Sequence, residues 1–81
     1  MLKQELIKAL EIDAAGDWDA AHRIVQEYST PEANWIHAYL HRKEGDMGNA
    51  GYWYARANKK FPQLHLEEEW KEIFEFLINL K

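Results

Sequence analysis

Apolar residues recur along this chain at helical spacing, interrupted by short polar turns, and never alternate with the period of two that marks a strand. Leu2, Leu6 and Leu10 step every four residues and carry Asp13 on the same line, with Ile7 and Ala14 beside them. This predicts a first amphipathic helix over roughly 2–15, stopped by Gly16. Asp17 then offers a carboxylate to the free amides of a new first turn, and Ala20, Ala21, Ile24, Val25 and Tyr28 form the next stripe. Ser29-Thr30-Pro31-Glu32 is a restart signal: a hydroxyl cap, proline at the first helical position and an acidic first turn. The third helix is expected to run to Glu44 and to end at Gly45, which takes a left-handed cap readily. A fourth opens at Asp46, shows Ala50, Trp53, Tyr54, Ala57 and Phe61, and is closed by Pro62. A fifth, roughly 66–80, carries Leu66, Trp70, Ile73, Phe74, Leu77 and Leu80. The expectation is an all-α protein of five helices.

The turns repeat. Gly16-Asp17-Trp18-Asp19-Ala20-Ala21 recurs loosely as Gly45-Asp46-Met47-Gly48-Asn49-Ala50. With the turns aligned, the chain resembles the tetratricopeptide repeat, a helical hairpin whose small residues sit where its helices cross. The second unit places Asn34, His37, Ala38, His41, Ala50, Tyr54 and Pro62 on the pattern's slots. The first places Glu5, Lys8, Ala9, Ile12, Ala21 and Val25 there. The resemblance covers roughly residues 2–62 and implies two stacked hairpins with the last helix as a cap. It departs from the pattern in period, with 29 residues from Gly16 to Gly45 against about 34 in the repeat. It departs also at Asn34, His37 and His41, where large apolar residues belong. Either the third helix is rotated so that Trp35, Ile36, Tyr39 and Leu40 point inward, or those polar groups serve a purpose. The strings GDWDAAHRIVQE, WIHAYLHRKEGD and NAGYWYARA also resemble a family of small bacterial proteins, a likeness that supports helices and supplies no mechanism.

At 81 residues the chain is read as a single domain, 1–81, burying about 60% of its unfolded surface. The absence of cysteine excludes disulfides, thiolate metal sites and cysteine nucleophiles. No apolar run is long enough to span a bilayer, and the start of the chain lacks a signal-peptide core, so a cytoplasmic location is expected. The lack of a spanning run argues against a membrane partner and the formal charge of −4 against nucleic acid, yet that charge is unevenly spread. Five basic and two acidic residues between Asn34 and Pro62 make the middle +3, between ends of −4 and −3.

Two constellations could carry chemistry. His37, His41 and Glu44 fall within about 60° of one another on the third helix, and His22 lies on the neighbouring second helix in line with Trp18 and Gln26. Three imidazoles and a carboxylate suffice for Zn or another divalent metal, or for acid–base work; hydrogen-bonded histidines in a helix seam would use the same spacing. No other cofactor is called for. The second constellation is aromatic and basic. Trp35, Tyr39 and Arg42 share one side of the third helix, and Asn49, Tyr52 and Arg56 one side of the fourth. Rigid rings and forked guanidinium groups are the substance of binding hot spots. These six residues are therefore read as the groove of a non-enzymatic interaction module for a protein or acidic peptide, although rings on helices also fill cores. Gly48 and Gly51 lead us to expect close approach of the last helix to the fourth. Glu67-Glu68-Glu69 suits the positive end of a helix dipole. The apolar arc of the last helix, widened by Phe76 and Ile78, exceeds one packed face and implies a homodimer or partner contact, unless that helix is central.

Overall fold

A computed structural model describes residues 2–80, and those residues form five α-helices and no strand. They are α1 (Leu2–Ala14), α2 (Trp18–Val25), α3 (Pro31–Glu44), α4 (Met47–Arg56) and α5 (Leu66–Ile78). The caps are those the turn residues predict. Asp17 accepts from the Ala20 amide at 3.0 Å, Thr30 from Ala33 at 3.2 Å and Asp46 from Asn49 at 3.3 Å. Pro31 opens α3, and Gly16 and Gly45 take the left-handed conformation at φ 102° and 91°.

The largest difference in a boundary is at the end of α4. The fourth helix stops at Arg56, well short of Pro62, because Asn58 adopts a left-handed conformation at φ 59°. Asn tolerates that region better than most residues, and the Lys59 amide turns back to the Tyr54 carbonyl at 2.9 Å. Phe61, freed from the helix, folds its ring back to 5.0 Å from that of Tyr54.

α1 pairs with α2 and α3 with α4, while α3 also contacts α1, α2 and α5. Alanines at the crossings (Ala9, Ala21, Ala38 and Ala50) are wholly buried and let the backbones approach closely. The core between them is filled by Leu6, Leu10, Val25, Ile36, Leu40, Tyr54, Ile73 and Leu77. Two indoles tie the layers together: Trp18 donates to the Leu40 carbonyl at 2.7 Å and Trp70 to that of Leu10 at 2.9 Å.

The fifth helix is not laid on the fourth. It packs on α1 and α3, and a Cβ added at Gly48 or Gly51 would meet nothing within 4 Å. The expected sandwiching of α4 is thus absent, and its glycine face is open. α3 takes the central position instead, buried at every residue from Ala33 to His41. A helix covered all round must carry its polar residues inside, and this one brings in Asn34, His37 and His41.

Candidate functional site

The three central histidines are brought together. His22 projects from α2 one turn after Trp18, and His37 and His41 from successive turns of α3, with all three offering ring nitrogens within 4.8 Å of one another. His22 Nε2 and His37 Nε2 are 3.0 Å apart, a hydrogen bond that requires one nitrogen protonated and the other bare. The rings of His37 and His41 stack at 4.9 Å, and His22 meets both edge-on.

Aromatic walls enclose the cluster. Trp18 lies parallel to His22 at 4.9 Å between centroids, and Trp53, reaching over from α4, stacks on His37 at 3.9 Å. His37 and His41 are buried, whereas His22 is half-buried and opens the cluster toward solvent. Burial pushes the His37 imidazole down to about 4, helped by repulsion from His22 and His41. His22 is pushed down by burial and by His41, against a smaller upward pull from Glu44 and Asp19. Both shifts favour the neutral imidazole, which keeps one lone pair to offer on each ring.

Glu44 stands behind the cluster rather than in it. Its carboxylate meets His41 Nδ1 at 2.7 Å, so that nitrogen donates outward and the lone pair of Nε2 is directed to the other side of the ring. The three imidazoles supply the ligand atoms, and Glu44 fixes one tautomer. Among the described residues a second possible group, His41 with Glu44 and Asp46, shares the same histidine but is largely exposed.

The six aromatic and basic residues read as a groove do not meet in one. Trp35 and Tyr39 are buried, and Arg42 is directed into the protein. On that flank of α3 they surround Glu69, which is 1% exposed. The Glu69 carboxylate accepts from Arg42 at 2.7 Å, Trp35 at 3.2 Å and the Tyr54 hydroxyl at 2.5 Å, while Arg42 also donates to the Leu64 carbonyl. Burial, then the bond to Glu69, pushes the Tyr54 phenol upward. Asn49, Tyr52 and Arg56 lie on the open outer face of α4, where Arg56 sits over the rings of Tyr52 and Trp53.

Sequence reasoning gave no role to Glu69 beyond the helix dipole, and none to Trp53 beyond the core. The Glu run masks which carboxylate turns inward, since that depends on where α5 docks. The line of Trp18 with His22 does signal a stacked pair. Comparison with family models, with curated proteins and with solved structures finds no match to this chain.

Proposed function

We propose that this protein is a small helical metal-binding protein whose ion is held by His22, His37 and His41, with Glu44 orienting His41 from behind. The observation that carries the reading is the convergence of three imidazole nitrogens within 4.8 Å between two tryptophan rings. Ligation needs bare nitrogen lone pairs, and burial favours the neutral form of His22 and His37. Three imidazoles suit zinc, copper or nickel over magnesium or calcium, which take oxygen ligands. In a four-coordinate zinc site they leave one position for water or an incoming ligand.

Equilibrium dialysis of tag-free protein against Zn(II), read with the visible bands of Co(II) in the same site, tests this. One ion per chain is expected, lost in His37→Phe and bound about tenfold more weakly in Glu44→Gln. Equal uptake by wild type and His37→Phe would leave the cluster as a hydrogen-bonded seam.

A second reading rests on the outer face of α4. Tyr52 is 55% and Met47 53% exposed there, beside Arg56 and the open glycines. The pairing of α1 with α2 and of α3 with α4 supports the tetratricopeptide-like interpretation and, with it, a protein or acidic-peptide partner for this face. Acidic peptide arrays probed with wild type and with Tyr52→Ala/Arg56→Ala test it, with binding expected only for wild type.

A further inference from the structure

Across α3 from the histidines, a cavity of about 320 Å³ opens between the end of α1, the last turns of α3 and the start of α5. Asp13, Tyr39, Lys43, Glu67 and Trp70 line it. Asp13 is an unusual residue for that place. It lies on the apolar line of α1, is 1% exposed, and stands in the last turn of its helix, where the dipole disfavours negative charge. Lys43 reaches its Oδ1 at 3.0 Å, while Oδ2 is buried with no donor at hydrogen-bonding geometry, the Tyr39 hydroxyl standing close to the same carboxyl. A buried carboxylate oxygen without a donor costs stability unless something else supplies one.

We infer that this cavity is a binding site for a small primary ammonium compound, whose N–H groups satisfy Asp13 and whose carbon body lies against Trp70 and Tyr39. Charge agrees with that occupant. Asp13 and Glu67 against Lys43 leave the lining at −1, and one monocation brings it to zero. Burial, then the charge of Asp13 and hydrogen bonding to its carboxyl, pushes the Tyr39 phenol upward, so its hydroxyl stays neutral beside Asp13 and adds no charge to the lining. Lys43 is 38% exposed along its side chain, so it can swing outward and give the ligand access to the carboxylate. The aromatic walls reward a cation held near their faces. A quaternary ammonium has the charge but no N–H for Oδ2, and a carboxylate would meet Asp13 and Glu67 with like charge. The site shares no residue with the histidine cluster, so its success or failure is independent of metal binding.

Amide and indole NMR shifts of the full chain, titrated with n-butylammonium, tetramethylammonium and butyrate, test the inference. Butylammonium is expected to shift the Trp70 indole and the Tyr39 and Lys43 amides saturably. Asp13→Asn should weaken it about tenfold or more, the loss of one charge-assisted hydrogen bond. Glu67→Gln, at an exposed position in the first turn of α5 where it costs the fold no more than a helix-dipole contribution, should weaken it about threefold through lost charge. Saturable shifts from butylammonium that tetramethylammonium fails to reproduce, reduced in Glu67→Gln, establish the site even if Asp13→Asn proves unstable. Absence of saturation, equal response to the quaternary ion, or unchanged affinity in both variants would overturn it.

Discussion

On one flank of α3, the carboxylate of Glu69 is 1% exposed and accepts hydrogen bonds from Arg42, Trp35 and Tyr54, with its charge matched by the guanidinium. On the other flank, three imidazoles crowd together with one ring-to-ring hydrogen bond among them and tryptophans at their backs. Both clusters are polar groups inside a core of small size, and both lie on the same central helix. They differ in satisfaction. Glu69 has a donor for each oxygen, so its cluster is complete as it stands and acts as a lock between α3, α4 and α5. Burial and neighbouring imidazoles disfavour the charged forms of His22 and His37, and the neutral rings have spare lone pairs, so the cluster favours its neutral state. A polar network that is complete specifies structure; one left with unused lone pairs is the better candidate for a ligand.

The largest test of that contrast is removal of each centre. Glu69→Ala leaves Arg42 without its anion and strips the acceptor from Trp35 and Tyr54. Breaking a buried pair in this way costs about 3–5 kcal/mol. His37→Phe keeps a ring against Trp53 and loses only the bond to His22, a change of about 1 kcal/mol. Urea unfolding of the metal-free variants should show a far lower midpoint for Glu69→Ala. Equal losses would mean that the histidines are as structural as the carboxylate.

Acid sharpens the comparison at intermediate scale. His37 titrates at about 4 in the folded chain against the ordinary 6.5, so between those values the unfolded state binds the extra proton. Its contribution is fully present above about pH 6.5, drains away as pH falls toward 4 and changes little below that. The folded protein should lose on the order of 2–3 kcal/mol over this window. His22, lowered in the same direction, adds to the loss. His37→Phe should flatten the slope of unfolding free energy against pH, as measured in metal-free buffer. A slope unchanged by that substitution would assign the acid sensitivity to other groups.

The difference between the flanks also explains what could be read in advance. Helix number, caps and the crossings at Ala9, Ala21, Ala38 and Ala50 follow from local rules and spacing, and they were legible. The histidine cluster was half legible. The i, i+4 spacing of His37 and His41 is local, and only the hairpin order was needed to bring His22 beside them. The Glu69 cluster was not legible, because it joins residues 34 positions apart and depends on α5 docking against α3. That docking turned Trp35, Tyr39 and Arg42 inward. Asp13 gave a clear local sign, a carboxylate on an apolar stripe, but its cavity exists only once α1, α3 and α5 meet.

The smallest test uses α4, which serves both clusters: Trp53 reaches the histidines and the next residue, Tyr54, reaches Glu69. Gly51 lies inside this helix with open space where a Cβ would stand. Glycine within a helix costs about 0.5–1 kcal/mol relative to alanine, mostly through the freedom it gives the unfolded chain. Gly51→Ala should therefore raise the thermal midpoint by a few degrees. It should leave the acid slope and the Co(II) affinity as they are, since neither cluster touches that face. A stabilised protein with unaltered clusters separates helix propensity from the chemistry on either flank of α3. If alanine instead changes metal affinity or the acid slope, the turn of α4 behind Trp53 must move when the histidines are occupied, and the open glycine face is what allows that movement.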